Sequence, residues 1–596
     1  MPHTNVNPFT IRSPEKLPAD DAVRLFVDVF SDFPKVAQQG HCFIHGPRGS
    51  GKSMIFRFLE PDCQCLSNNT TITNLDFLSI WVQVKNTELC LSELDRLKDE
   101  HSSLVLNEHF MILYIASKAF EALSALNIPD SGTQEGKEAN AAFVKGVLNR
   151  LRLSGWKGDD GVIESNDHTM SFRILIDILS TIYAEFLQYV KRLFNPGPHP
   201  YDGPLLGYGD FLLPTLMDLK KLPYIGAKPV YLLIDDAGHF NLSQTMVLNS
   251  WVSSRTSSDV SIKVSTQYDY KTFRTGSGRR IDVPHDFSEI DISEIYTTSH
   301  GRYKKRLREI VRRRLQLLDI DVEPDDFFPP DLDQERQITA IAESYKERAT
   351  SDQRDYKGID DAKRYARPDF IKRLEGISKS GSTYSYAGFE QLTHISSGVI
   401  RIFLDAAAMM YSEATVAGLP QPISAIPAGI QDREIRKLSD KLAFWELEKE
   451  SQDQSRFRLD PEDLRRLHNM IRVLGGVFHQ ILVSDKAERR VFSIAFSNDA
   501  SRDVEKILRL GRDLGYFHVS SIGNKMGTGR TRLYVLTRQL APHFRLDPTS
   551  FAGYLFVTNE RMEEAMSNPN AVLRKAKENP DILLDTQQLA LFEGED

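Results

Sequence analysis

The sequence predicts an α/β chain: a parallel sheet covered by helices, then a helical region, then a small C-terminal domain that closes on a hairpin. Three observations carry that expectation. The glycine-rich octet Gly46 to Ser53 stands between a short apolar run and a helical pattern. A second apolar run, Pro229 to Asp236, ends in two carboxylates. Beyond Pro420 to Pro427 the order becomes helix, helix, strand, helix and two strands joined by a basic, glycine-rich turn.

Size and charge set the outer limits. The chain has 596 residues and a formal net charge of −8, enough for roughly three or four domains and too acidic overall for a wholly basic nucleic-acid binder. It lacks an apolar run of the ~18 residues that would mark a membrane span. Its first residues, Met1 to Asn5, carry no basic-then-apolar signal. The cysteines are Cys42, Cys63, Cys65 and Cys90, with no C-x-x-C pair, so neither a zinc site nor a disulfide framework is expected. A reduced, cytosolic protein follows.

The first elements in order are a helix over Pro18 to Gln39, stopped by Gly40, and the strand Cys42 to Ile44. The octet Gly46-Pro47-Arg48-Gly49-Ser50-Gly51-Lys52-Ser53 then fits the phosphate-binding pattern G-x-x-x-x-G-K-[ST] in full, with Met54 opening the helix behind it. Glycines let the backbone wrap around phosphates with successive N–H groups pointing inward. Lys52 can reach the β/γ-phosphates, Ser53 can ligate Mg²⁺, and the helix N-terminus adds partial positive charge.

A strand is expected over Ser79 to Val84 and helix from Leu91 to about Leu126. Solvated loops are expected over Pro129 to Asn140 and Gly155 to Asp167, and a helix over Phe172 to Phe194. Residues 90–215 thus read as a helical insertion. The run Val230 to Ile234 suits a strand buried on both faces, and ligands collect at the C-terminal ends of such strands. Asp235 would hold Mg²⁺ through water, and Asp236 would orient or deprotonate the attacking water. After a helix over Leu242 to Ser253, the strand Val260 to Gln267 also ends in polar residues, so Thr266 or Gln267 is the candidate sensor of the γ-phosphate.

Gly301 to Arg314 carries eight basic residues against Glu309. They fall all round a helix, which suits a solvated helix packing by its aliphatic stems or a phosphate contact. Asp319 to Lys379 reads as a charged lid elaboration or flexible insertion. Gly388 to Tyr411 is helical and contains Gly398-Val399-Ile400-Arg401, which can project a guanidinium over a bound nucleotide. The C-terminal helices are expected over Asp432–Glu450, Pro461–Leu482 and Ser501–Leu514. The strands are Arg490–Phe496, Tyr516–Ser521 and Arg532–Thr537, with Lys525, Arg530 and Arg532 at the turn. This is the order of a winged helix, which serves either duplex DNA or protein partners. The tail loses periodicity from about Ser567, and Gln588-Leu589-Ala590-Leu591-Phe592 is an amphipathic peptide that could dock on a groove or fold back on its own chain.

Taken together, from about Asp20 to Leu540, these features resemble the AAA+ ATPases of the origin-recognition initiator type in prokaryotes. The resemblance implies a P-loop AAA+ αβα nucleotide domain with helical insertions (1–295), a helical lid with a charged insertion (296–425) and a C-terminal winged-helix domain (426–547). A flexible extension would follow (548–596). It implies ATP and Mg²⁺ as cofactors, duplex DNA as partner and self-association on ATP. Lys52 and Ser53 would bind phosphate and metal, Asp235 and Asp236 form the acidic pair, Gln267 or Thr266 the first sensor and Arg401 the second. Arg279 and Arg280 fall where the family places an arginine that reaches a neighbour's ATP. The family's acidic pair is Asp-Glu, and Asp-Asp looks more like the STAND signalling ATPases. The shorter Asp236 implies slow turnover. The tail peptide looks like the one by which bacterial proteins bind the sliding clamp. Two other readings stay open: a signalling ATPase of antiphage defence whose winged helix packs on protein, and a scaffold that binds ATP without hydrolysis.

Overall fold

Cys42 to His45 is short and apolar but for its last residue, and it forms the buried strand β1 (Cys42–His45). In a computed structural model of the chain, β1 lies inside an all-parallel sheet with β2 (Leu78–Gln83), β3 (Val230–Asp235), β4 (Val260–Thr266) and β5 (Ser288–Asp291). The order is β2-β3-β4-β1-β5. The residues described are 7–10, 13–28, 33–85, 94, 100–158, 167–193, 201–254, 258–268, 270–292, 300–351, 355–376, 383–452, 459–486, 489–496, 499–523, 530–549 and 553–583. Strands β3 and β4 are buried at every position, as a sheet covered on both faces requires. Because β1 sits between β4 and β5, with β3 beyond β4, the C-terminal ends of β1, β4 and β3 stand side by side where the strand order reverses.

The chain divides into two compact units, Arg12–Ser293 and Met1–Ile11 with Glu294–Asp596. In the first, α1 (Ala19–Leu25) and α2 (Lys52–Leu59) pack with α3 (Pro61–Asn68). The expected single helix over Pro18 to Gln39 is thus broken: α1 ends at Leu25, and a separate short turn covers Phe33–Ala37. At the end of α2, the buried Arg57 donates to both carboxylate oxygens of Asp62 (2.7 and 2.8 Å), to Glu60 (2.8 Å) and to the Leu17 carbonyl. That clamp fixes the helix whose other end carries Lys52 and Ser53.

The insertion supplies α4 (Glu100–Ser124), α5 (Gln134–Leu153) and α6 (His168–Arg192). Phe110, Phe120, Phe172 and Phe186 share one core with Val82, Ile234 and Val264 of the sheet, so the insertion is part of the unit's interior. The loop expected over Pro129 to Asn140 is instead a helical turn and the start of α5. Thr133 caps α5 by accepting from the Gly136 N–H at 3.1 Å, and a Cβ on Gly136 would run into the Ser131 backbone. Polar residues hid this start because α5 buries only one stripe, among them Phe143, Val147 and Leu151. The unit's last described helix is α7 (Leu242–Ser253), whose Asn241–Gln244 capping box matches the expected start.

The second unit opens with α8 (His300–Gln316), α9 (Leu332–Ser351) and α10 (Asp355–Gly376). The charged stretch Asp319 to Lys379, expected as an elaboration or flexible insertion, is therefore largely helical. Arg367 grips both oxygens of Glu335 at 3.0 Å, and Tyr345 donates to Asp369 at 2.5 Å. Next come α11 (Phe389–Ile395) and α12 (Ile400–Val416), which split the expected helix Gly388 to Tyr411 at Ser397 and Gly398, with φ of 51° and 81°. Residues near the N-terminus, assigned by the sequence to the nucleotide domain, belong here. Phe9 is fully buried against Phe327, Phe328 and Tyr411.

The C-terminal part is α13 (Ala428–Asp440), α14 (Pro461–Leu482), β6 (Val491–Phe496), α15 (Arg502–Asp513), β7 (Phe517–Gly523) and β8 (Arg530–Leu536). The elements follow the expected order, but the domain does not stop at 547. After α16 (Ala541–Phe544), strand β9 (Gly553–Val557) pairs parallel with β6, giving the sheet β7-β8-β6-β9. Helices α17 (Asn559–Ser567) and α18 (Pro569–Glu578) follow, and Asn469 of α14 bonds the Met566 carbonyl of α17 at 2.7 Å. The helices α9 to α12 and this C-terminal part are joined within the unit. The fully buried Tyr386 donates to the Ala541 and Leu546 carbonyls at 3.1 and 3.0 Å, and Arg489 pairs with Asp369 at 2.7 Å. Gln588 to Phe592, and Lys525 in the β7–β8 turn, lie outside the described residues. No described helix is long and apolar enough to cross a membrane.

Candidate functional site

Between β1 and α2 the chain turns tightly at Gly49 and Gly51, whose φ angles of 84° and 106° are ones that L side chains rarely adopt. Gly51 caps α2, and its carbonyl accepts from Met54 and Ile55 N–H at 3.1 and 3.2 Å. At Gly46 a Cβ would stand 3.1 Å from both Ile292 and the Ser50 hydroxyl, a tight fit where the loop leaves the strand. Lys52 is buried and donates to the Gly46 and Pro47 carbonyls at 2.8 and 3.0 Å. The ammonium thus lies across the loop's own backbone. Arg48 is exposed at the tip, while Met54 packs on a small cluster of Leu17, Ala22 and Cys63.

The acidic pair stands at the end of β3. Asp235 is fully buried, and the register that sets Ile234 against Val264 brings Ser265 of β4 beside it. The Ser265 hydroxyl donates to Asp235 Oδ1, and the Asp236 N–H donates to Asp235 Oδ1 and Ser265 Oγ at 3.1 and 3.0 Å. Burial, then the charge of Asp236, push the Asp235 carboxyl upward, against the pull of Ser265, Ser53 and Lys52. Asp236 itself is half-buried in the left-handed region at φ 56°, ψ 42°, a conformation that Asp tolerates better than most residues and that recurs at functional sites.

These residues suit a metal–triphosphate. Asp235 Oδ2 and Ser50 Oγ are buried without a hydrogen-bond partner among the described residues, an expensive state unless a ligand satisfies them. Hydroxyl and carboxylate oxygens at Ser53 and Asp235 are the hard donors that Mg²⁺ takes. Lys52 and the N–H groups opening α2 offer the matching positive surface to phosphate.

The remaining candidates fall into place unevenly. Thr266 turns its hydroxyl to the Gln267 carbonyl at 3.0 Å, and Gln267 is half-buried at the strand end. The β4 hydroxyl that touches the acidic pair is Ser265, which the sequence reading passed over. Arg279 and Arg280 are exposed and pair with Asp286 (3.2 Å) and Asp282 (3.4 Å) of their own loop. Arg401 is half-buried in the first turn of α12, one turn before Asp405, whose carboxyl burial raises. Ser397, at the break before α12, accepts from the Arg538 N–H of the C-terminal domain at 2.8 Å.

The basic helix α8 packs by one face and pairs several of its cations. It buries Tyr303, Leu307, Val311 and Leu315, while Arg308 meets Asp325, Arg312 meets Glu323, and Arg313 meets Glu309. In the C-terminal domain four cations on α15 and β8 also face acids: Lys506–Asp463 (2.6 Å), Arg512–Asp513 (2.9 Å), Arg509–Glu505 (3.7 Å) and Arg532–Glu505 (3.8 Å).

Comparison with known proteins adds a family. The model described as ORC-CDC6-like matches residues 7–556. No curated protein matches the chain. Among solved structures it is similar to the Aeropyrum pernix ORC1 protein in complex with DNA, with 10% identity, 94% of each chain covered and a TM-score of 0.27.

Proposed function

The chain belongs to the ORC-CDC6-like family, and from that membership we propose an ATP-binding switch that hydrolyses ATP slowly and contacts duplex DNA through its C-terminal domain. The observation that carries the reading is the buried Asp235, with one unsatisfied oxygen, held by Ser265 beside a complete phosphate loop. Lys52 exchanges the carbonyls of Gly46 and Pro47 for phosphate oxygens. Ser53 and Asp235 hold Mg²⁺, which when bound neutralises charge on the phosphates. Asp236 orients and deprotonates the attacking water from a backbone position pinned by Ser265. Its side chain is one methylene shorter than glutamate, and proton transfer weakens steeply with misplacement, so turnover is slow and suits a timer. Arg401 is the proposed second sensor, and Arg279 or Arg280 the residue offered to a neighbouring copy.

Ser265→Ala tests the site's internal logic. It removes the hydroxyl that both Asp235 and the Asp236 N–H use, at a cost of about 1–3 kcal/mol, and turnover should fall while ATP affinity holds. Thermal melting and phosphate release check both parts. Unchanged turnover would show that Asp236 does not need this support.

The DNA part rests on the β7–β8 hairpin and α15, and its test is a salt titration of the full-length protein with a duplex. Replacing Lys525, Arg530 and Arg532 by Ala should weaken binding at every sequence and lower the slope of log affinity against log salt by about 0.9 per lost phosphate contact. The ion pairs on α15 and Arg532 favour the second reading, a protein-contact module in a signalling ATPase. Absence of any salt-sensitive binding to DNA would select it.

A further inference from the structure

The C-terminal helix α18, which the sequence left in a flexible tail, closes a cleft of about 510 Å³ against α14 and α16, a volume within the range of ligand sites. Glycine makes the cleft possible. Gly475 and Gly476 lie inside α14, where glycine is a poor helix former. A Cβ on the first would overlap the Phe544 ring of α16, and one on the second would overlap Leu573 of α18. The glycine pair therefore seats both neighbours directly on the α14 backbone.

The lining is basic. Arg545, Arg574 and Lys577 are exposed along it, joined by His479, His543 and Asn570. Among the described residues no carboxylate pairs with any of those three cations. Arg574 Nε reaches the Asn570 carbonyl of its own helix, at 3.4 Å. Two carboxylates pair with the lining rings: Glu375 meets His479 Nε2 at 2.5 Å, and Asp440 meets His543 Nδ1 at 2.8 Å. Arg545 has φ 54°, a rare conformation for a non-glycine residue and one associated with functional sites. Its carbonyl is held by His479 Nδ1 at 3.2 Å. The contrast with α15 and Arg532, whose cations face acids, is direct.

We infer that this cleft binds phosphate groups, through Arg545, Arg574 and Lys577 with Asn570 as a neutral hydrogen-bonding partner. Guanidinium and ammonium donors that pair with no described carboxylate and line one concave site recognise phosphoryl oxygens. The phosphates belong either to a nucleic-acid backbone or to a free oligophosphate. The inference is independent of the hairpin: none of its residues lies on β7, β8 or α15.

The test uses full-length protein carrying Lys52→Ala, which silences the phosphate loop, titrated separately with inorganic tripolyphosphate and with a 20-base-pair duplex (about two helical turns). Two variants are compared with that parent. Arg545→Asn with Lys577→Gln keeps a residue tolerant of positive φ at 545, and Lys577→Glu alone changes an exposed side chain that no described carboxylate holds. Both should melt with the parent. Affinity should drop roughly tenfold or more as charge-assisted contacts go. A loss for the duplex assigns the nucleic-acid backbone, and a loss confined to tripolyphosphate assigns a free oligophosphate. Unchanged affinity for both ligands in both variants overturns the cleft. Arg532→Ala, on the hairpin, should leave tripolyphosphate binding intact, so a failed hairpin and a failed cleft give different results.

Discussion

Asp236→Asn should leave ATP bound and lower turnover by about 10²–10⁴-fold, the usual contribution of a positioned general base. Lys52→Ala should lose affinity for the triphosphate as well. The difference follows from what each side chain touches. Lys52 is buried against the loop carbonyls, and on the proposed reading it is the cation that meets the phosphates. Asp236 contributes no donor to the loop, and its backbone contacts with Asp235 and Ser265 survive the change to asparagine. Removing its charge also takes away the second-largest influence that pushes Asp235 toward its protonated form, so the Asp235 carboxylate is better ionised in the variant. Binding of a fluorescent ATP analogue and release of phosphate separate the two predictions. Parental turnover in Asp236→Asn would remove Asp236 from the chemistry. Turnover lost together with binding would make it a ligand residue.

What the sequence revealed divides along a physical line. The glycine-rich loop was legible because it is contiguous: glycines, lysine and serine stand within eight residues that follow a strand and open a helix. Asp235 and Asp236 were legible because a fully apolar strand ends on them. Ser265 was not, because its place beside Asp235 depends on the register of two strands that the chain brings together from positions 30 residues apart. Thr266 and Gln267 carried the same polar signal, and only the pairing of Ile234 with Val264 separates them from Ser265. The helices α9 and α10 escaped because they meet through polar side chains, Arg367 with Glu335 and Tyr345 with Asp369, which periodicity cannot register. Helices α17 and α18 bury Met562, Ala565, Met566, Val572 and Ala576. Such small or flexible side chains make a weak stripe, although Tyr554 to Val557 before them reads as a strand once β6 is known to need a second neighbour.

Acidification should unfold the Arg12–Ser293 unit well before its carboxylates are fully protonated, because two of its histidines are buried in the neutral state. His41 is 4% exposed, and its Nδ1 accepts from the Ile262 N–H at 2.9 Å. Burial, and then the charge of Lys263, push it down to about 4. His109 is 0% exposed, its Nδ1 accepts from the Leu206 N–H at 3.0 Å, and burial pushes it down to about 3. The sign follows from proton counting. Below the ordinary histidine value near 6.5, the unfolded chain takes protons that the folded unit refuses, so stability is fully present above that value and falls as the pH drops toward the folded values. Each unit of displacement is worth about 1.4 kcal/mol, so by pH 4 each ring removes roughly 3 kcal/mol, a large share of the ~5–15 kcal/mol that holds a domain. His109→Asn and His41→Asn keep an acceptor near the Nδ1 position and cannot be protonated. The parent's urea midpoint should fall steeply between pH 6.5 and 4.5, and the double variant's slope over that window should be clearly shallower. Equal slopes would mean that the acid response lies in other groups and that these two rings reach solvent before the unit opens.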